Sequence, residues 1–510
     1  MLKFKHFLME MAVNKGTVPE HVHDFITHLM APVVASHQGD ASLMEVTLYA
    51  HKPGGDRQIP RGKRVPVPDV LSHNAVVEKD NPEHVDRYKR LMENGKKIAA
   101  EAGGGPKVLG QMKRGFDAYS SAVEGNEAER KRRLKEARAH HKEWRMRVAG
   151  YKGGADFLGQ NTKIAKNEEK AESSTGLSLS PYSMHGVEGH NACIKASSEC
   201  RNSCLAFTTG KNAMLSNINS KITKHQYMMQ HPEHAAALLH DEMLRHVDET
   251  AKMNTAEHHE SEVARHTEAV ESATDDKKKE RAKQRLEEAK QAQQEHREGK
   301  RYQAGFRMNV LQDYPTQHVM GKMMDHVHEH AKKKGVDMVV RDYTKHAERL
   351  EKERHPNHHF ALSSTGADHE ESNESDVGDA LHNGHTVAAV VATNPRHGPI
   401  THIYDHKHDR YHPVVDGDKD DMIENRHEEA GFKKGADQRG YDAEGRRAGV
   451  VSGLEIKGLS NEVKEQAGKF VHLPNPNFNN RHVDSHGRRL PEGAVVSEIN
   501  KGTHEFGKRR

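Results

Sequence analysis

The sequence predicts an α/β fold: a mainly parallel sheet forming a partial (β/α) barrel, with a mostly helical N-terminal region and a helical insertion. Three observations predict it. Six short apolar runs stand at 177–180, 305–310, 336–341, 359–362, 386–392 and 449–456, each followed by polar residues and then helix-like sequence. Such runs, rich in Val, Ala, Leu and Met, suit strands buried on both faces, and their alternation with helices suits parallel pairing. The stretch 252–301 is almost entirely charge, Ala and Gln. It reads as a long exposed helix or hairpin inserted between the first helix of this unit and its second strand. Before residue 150 the texture is helical, with clear stop signals.

Taken in order, 18–35 carries an amphipathic helical pattern and 43–50 a strand-like one, while Pro60, Pro66 and Pro68 mark a linker over 60–80. A helix is expected over 82–102, closed by the glycines at 103–105 and by Pro106. A second helical piece covers 108–123. A third, 127–148, contains RKRRLKEARAHHKEWRMR and the only tryptophan, Trp144. It has two readings, a nucleic-acid-binding helix or a solvated face. Glu127, Glu129, Glu136 and Glu143 interleave the basic residues at i,i+4 spacing, which favours the second. The predicted organisation is therefore a helical region over 1–150, an α/β domain over 155–460 with its insertion at 250–300, and an irregular tail over 461–510 containing LPNPNFNNRHVDSHGRRLPEG.

Composition narrows the classes of function. Of 510 residues, 34% are hydrophobic and 30% charged, so part of the chain is expected to lie outside any core. The net charge of +3 gives no strong basic bias, but 42 histidines would add on the order of 20 positive charges if half were protonated near pH 6.5. Three cysteines argue against a disulfide-stapled secreted fold and for a reducing compartment. The N-terminal MLKFKHFLMEMAV is too short and too charged for a signal peptide. No run approaches the ~20 apolar residues of a spanning helix, so a cytoplasmic protein with no membrane partner is expected.

The chemistry concentrates at Cys193, Cys200 and Cys204, spaced C-x6-C-x3-C just after the first predicted strand. Thiolates are soft donors, and three of them close in sequence can wrap one metal centre such as an iron–sulfur cluster. Zinc is the alternative, with His185, His190 or His225 as fourth ligand. A third reading leaves the cysteines as small buried residues near a helix start. In a barrel, residues at C-terminal strand ends face the mouth. That places Arg307, Asn309 and Asp313 after the second strand, Asp342, Tyr343 and Lys345 after the third, and Ser363 and Ser364 after the fourth. Arg and Lys there suit an anionic substrate, a nucleotide or nucleic acid; Asp and Asn suit orientation or proton transfer. Asn309, Asp313, Asp342 and Lys345 are the candidate catalytic set, with helix capping as their bland reading. His326-Val-His328 spells a metal-binding triplet, but its flanks carry helical spacing, which sends the two rings to different faces.

Several motifs occur together: Asn161-Thr-Lys163, CLAFTTGKNAM behind the cysteines, Phe306-Arg-Met-Asn309 with Asp313, Asp342-Tyr-Thr-Lys345, Asn383-Gly384 before TVAAVV, Pro413-Val-Val-Asp-Gly-Asp418, and GVVSGLEIKG. On these, 155–460 resembles a family of uncharacterised bacteriophage proteins, some labelled rolling-circle replication proteins. The cysteine loop after a first strand of six is also distantly similar to radical S-adenosylmethionine enzymes. That resemblance implies a [4Fe–4S] cluster on Cys193, Cys200 and Cys204 with one iron open to S-adenosylmethionine. It further implies a cofactor wall formed by Arg307, Gly453 and Glu455. The chain departs from that superfamily's usual C-x3-C-x2-C spacing and lacks a Gly-Gly-Glu after the second strand. Two functions follow: an iron–sulfur enzyme acting on a nucleotide or nucleic acid, or a nucleic-acid-binding phage replication protein with a structural zinc and no catalysis.

Overall fold

The computed structural model describes residues 82–150, 156–197, 200–201, 204, 214–352, 357–366, 372–394, 398–455, 471–475, 478, 482–491 and 493–501. The expected helix at 18–35, strand at 43–50 and linker at 60–80 lie outside them. One compact unit spans Val77–Arg510. It opens with three helices: α1 (Pro82–Glu101), α2 (Gly105–Val123) and α3 (Glu127–Ala149). A two-residue strand β1 (Leu158–Gly159) precedes β2 (Glu172–Leu177). Four helices follow: α4 (Leu215–Gln230), α5 (Pro232–Met253), α6 (Ala256–Glu271) and α7 (Asp276–Arg297). Then come β3 (Gln303–Asn309), α8 (Thr316–Lys334), β4 (Met338–Thr344) and β5 (His358–Ser363). The remaining elements are α9 (Glu374–His382), β6 (Thr386–Val391), β7 (His402–Asp405), β8 (Arg410–Asp416), β9 (Val450–Glu455) and β10 (Val496–Ile499).

The strands form one sheet in the order β1-β2-β3-β4-β5-β6-β9-β8-β7-β10. From β2 through β8 every neighbouring pair is parallel. Six of these strands, β2, β3, β4, β5, β6 and β9, lie side by side in chain order, as the six apolar runs predict. β1 and β10 end the ladder and do not pair with each other, so the described sheet is open. Two details differ from the sequence reading. The first strand occupies 172–177 rather than 177–180, because its inward residues, Glu172 and Ser174, are polar and hide the pattern. Within the expected irregular tail, Val496–Ile499 adds a strand beside β7.

Alternation along the strands creates two faces. Phe306, Met308, Met338 and Val340 share a core with Phe116, Trp144, Tyr227, Leu239 and Val327 from the helices. This core draws on α1 to α3 as much as on the sheet, so no boundary between cores falls near residue 150. The opposite face presents Arg307, Arg341 and Tyr343 and is crossed by 417–427. Along that segment Asp421 meets Arg307 and Tyr343, Glu424 meets Arg341, and Ile423 packs on Ala361 and Ala388.

The basic helix α3 is a solvated, ion-paired face. Asn126 caps it by accepting the Glu129 N–H at 3.0 Å, and Gly150 ends it at φ 62°, where glycine carries no Cβ penalty. Arg130 pairs with Glu127, Arg132 with Glu129 and Glu136, and Arg133 with Glu129 and Glu233. His326 and His328 lie on α8, on either side of the buried Val327.

α6 and α7 form the expected exposed hairpin, and none of the α7 residues is buried. Its base is pinned by Asn254, whose side chain donates to Tyr302 O at 2.9 Å and accepts Tyr302 N–H at 2.6 Å. Excising 255–299 and joining the ends with a short Gly-Ser linker is therefore expected to leave a folded protein with its thermal midpoint nearly unchanged, since exposed surface contributes little to stability. Insoluble protein after deletion would contradict this.

Candidate functional site

The site is built where β2 ends. Gln312 ties the strand ends together: its amide donates to Leu177 O and Met308 O, and its carbonyl accepts Leu179 N–H. The cysteine loop then folds back on itself, with Ala192 N–H on Tyr182 O at 3.1 Å, and Asp313 N–H reaches Ala192 O at 2.8 Å. α1 and α2 press on the loop without room for side chains. A Cβ on Gly95 would stand 2.6 Å from the Gly186 backbone, and one on Gly105 would overlap the Gly189–His190 peptide. Gly186 and Gly189 themselves hold φ of 73° and 83°.

Cys193 is 6% exposed. Its sulfur accepts Tyr182 N–H at 3.4 Å and donates to Leu311 O at 3.7 Å. Burial pushes the thiol up to about 12, and the Lys345 ammonium opposes that shift. Lys345 is the meeting point. Burial alone would lower it, but Cys200, Asp313, Cys193 and Cys204 together outweigh burial and hold it above the usual lysine value. A second ammonium, Lys221, is brought down to about 8 by burial, and Cys204 resists that shift. As thiolates, all three cysteines of the loop would act on this one cation, which follows the end of β4. All three are free of disulfides.

Asp313 is clamped beside them. Arg349 donates to its Oδ1 at 2.7 Å, and the Lys345 backbone N–H to its Oδ2 at 2.8 Å. Below the cysteines sits a buried hydroxyl–imidazole chain. Tyr314 OH contacts His190 Nε2 at 2.6 Å and also His225 Nε2. His225 Nδ1 lies 3.0 Å from Ser180 O, and His190 Nδ1 3.3 Å from Gly105 O. Burial drives His190 down to about 4, and it holds His185 and His225 well below the usual histidine value.

The other predicted residues go elsewhere. The β3–β4 register shifts between Arg307 and Asn309, which turns Asn309 to the helix side with Asp342. Asn309 closes its own turn: Nδ2 donates to Tyr314 O and Thr316 Oγ1, and Oδ1 accepts Tyr314 N–H. Asp342 is fully buried and accepts Asn309 N–H at 2.7 Å, with His358 Nε2 at 3.0 Å. Arg307 points to the opposite face, paired with Asp421 at 3.1 Å and lying 4.5 Å over the Tyr343 ring. Gly453 is hemmed in: a Cβ there would meet Val414 at 2.8 Å and Val391 at 3.2 Å. Glu455 ends β9 opposite Val391. The structure therefore gathers Asp313 and Lys345 near the cysteines, while Asn309 and Asp342 turn to the helix side, Arg307 to the opposite face, and Gly453 and Glu455 stay on β9. Arg349, Tyr314, Lys221 and Gln312 escaped the sequence reading. Asp-Tyr-Pro in the short turn between β3 and α8 was the one local signal that pointed to Tyr314.

As donors, three thiols suit an iron–sulfur cluster, whose negative charge Lys345, coupled to all three, and Lys221, coupled to Cys204, would offset. Their positions are those of free thiols: among the described residues, no three His, Cys, Asp or Glu side chains stand in metal-holding arrangement. His190 and His225 each spend Nε2 on Tyr314, which leaves them poorly placed as a fourth zinc ligand.

The fold and site define an α/β protein with a cysteine loop after the first of six successive parallel strands. Residues 256–452 match the family model described as Gene product 88, consistent with the resemblance to bacteriophage proteins. No curated protein and no solved structure matches the chain. The matched stretch runs from α6 into β9 and contains Asn309, Asp313, Asp342 and Lys345, but not the cysteines. Among the described residues no helix is long and apolar enough to cross a membrane.

Proposed function

We propose that this is a phage-encoded iron–sulfur enzyme of the radical S-adenosylmethionine type, acting on a nucleotide or nucleic acid from a partial barrel. The observation that supports it best is topological: the loop bearing Cys193, Cys200 and Cys204 leaves the C-terminal end of the first of six parallel strands adjacent in chain order. Binding groups of parallel α/β folds collect at that rim. On this reading Cys193, Cys200 and Cys204 would hold a [4Fe–4S] cluster, which when bound would supply one-electron reduction of S-adenosylmethionine. Lys345 and Lys221 offset the negative charge of the thiolates, and Asp313, fixed by Arg349, is the group placed to orient substrate or exchange a proton. Asn309 and Asp342 act through the Tyr314 turn as positioning residues. Arg307, Gly453 and Glu455 belong to the neighbouring strands and shape the walls.

Anaerobic purification with iron and sulfide analysis tests this. About 4 iron per chain and absorbance near ~400 nm are expected, both lost in Cys193→Ala, Cys200→Ala and Cys204→Ala. One zinc per chain, with Cys200→Ala unfolding the protein and Asp313→Asn leaving it untouched, would overturn the enzyme in favour of a structural-zinc, nucleic-acid-binding protein.

A further inference from the structure

Because β2 through β8 run parallel, the sheet has two distinct rims. The cysteine loop occupies the C-terminal one. At the other, where β5 and β6 begin, lies a cavity of about 250 Å³. Its floor is apolar, from Leu350, Phe360 and Ile423, and its polar lining includes His359, Thr386 and Lys434. The carboxylates at its edge are already engaged. Glu424 accepts Arg341 Nε at 2.6 Å, and Asp437 accepts the Tyr441 hydroxyl at 2.8 Å. A cation would find no free carboxylate among these two.

The cation in the lining is in the opposite condition. Lys434 stands in a two-residue ladder, Lys433–Lys434 with Gly440–Tyr441, which carries its side chain to the cavity. Glu424 and Glu428 attract its ammonium through space without bonding to it, and burial lowers it from the usual lysine value. Among the described residues no carboxylate bonds it, and a partly desolvated ammonium in that condition is stabilised by an anion that enters with it. His359 lines the same cavity. Burial holds it down to about 4, so its ring is neutral at pH 7 and offers a neutral N–H rather than a second charge. Thr386 adds a hydroxyl beside it.

We propose that this cavity binds the oxyanion of a small acid, a carboxylate or phosphate carried on a compact apolar body, with Lys434 as counter-charge and His359 and Thr386 as neutral donors. A space of about 250 Å³ admits a ring bearing one acidic group. The site is separate from the cysteine rim and does not depend on iron there. It lies wholly within residues 256–452, the stretch that matches the family model.

The test uses the full-length protein, with titration calorimetry and thermal shift at constant ionic strength against chloride. Inorganic phosphate and benzoate are the two probes, and benzamide is the uncharged control. Saturable binding of at least one anion and none of benzamide is expected. Lys434→Met should weaken it about tenfold or more, the worth of one charge-assisted hydrogen bond. Lys434→Arg should retain it, and Lys433→Met, on the exposed neighbour, should leave it unchanged. Benzoate alone binding assigns a carboxylic acid, and phosphate alone a phosphate ester. Equal binding by wild type and Lys434→Met, or no binding of either anion beyond chloride, overturns the proposal.

Discussion

Below about pH 5.5 the protein is expected to unfold cooperatively. His141, His190, His240, His427 and His472 are all under a tenth exposed. Burial lowers His141 and His240 to about 3, and His190, His427 and His472 to about 4. In the unfolded chain each titrates near ~6.5. Between that value and the folded one, the unfolded state binds more protons, so stability is present above about pH 6.5 and falls as pH drops, by about 1.4 kcal/mol per pH unit per histidine. Five together lose about 7 kcal/mol per unit, against a total stability of roughly 5–15 kcal/mol. Glu242, which burial raises to about 7, works in the opposite direction, one group against five. The only tryptophan, Trp144, is 1% exposed and reports the transition by fluorescence. Native emission and circular dichroism retained at pH 4.5 would rule this out.

Arg341→Met should cost about 3–5 kcal/mol, read from the urea midpoint, because it strands buried carboxylates. Arg341 is 2% exposed in the middle of β4. It donates to Glu172 Oε2 at 2.6 Å and, through Nε, to Glu424 Oε2 at 2.6 Å, with second contacts to both carboxylates. Glu172 is fully buried and also takes Gln303 at 2.7 Å and Asn167 at 2.9 Å. Those neutral donors cannot replace a charge. Adding Glu172→Gln and Glu424→Gln to Arg341→Met should recover most of the loss, since no ion is then left unpaired. A triple variant as unstable as the single one would show that packing, not charge, sets the cost.

Local pattern carried much of the architecture. The runs at 386–392 and 336–341 announced β6 and β4 as strands buried on both faces, and the charged α6–α7 stretch announced an exposed hairpin, because period and burial are written into neighbouring residues. The closeness of Cys193, Cys200 and Cys204 was equally local. By contrast, no local pattern announced that 417–427 lines one face of the sheet. Asp421 finds Arg307 across 114 residues, and Glu424 finds Arg341 across 83. A polar residue's sequence neighbours do not say which distant ion will neutralise it.

The amino-acid sequence by itself determined the strand and helix types, their alternation, and the grouping of three thiols behind the first strand. Those follow from side-chain period and chain proximity, which need no partner. Tertiary structure alone decided that Lys345 lies within electrostatic reach of the cysteines and that Asp313 is clamped by Arg349. It also decided, through the shift between Arg307 and Asn309, that Asn309 and Asp342 turn to the helices. A one-residue slip between strands sends a side chain to the other face of the sheet, and register is set by pairing across the sheet, which no single stretch of chain contains.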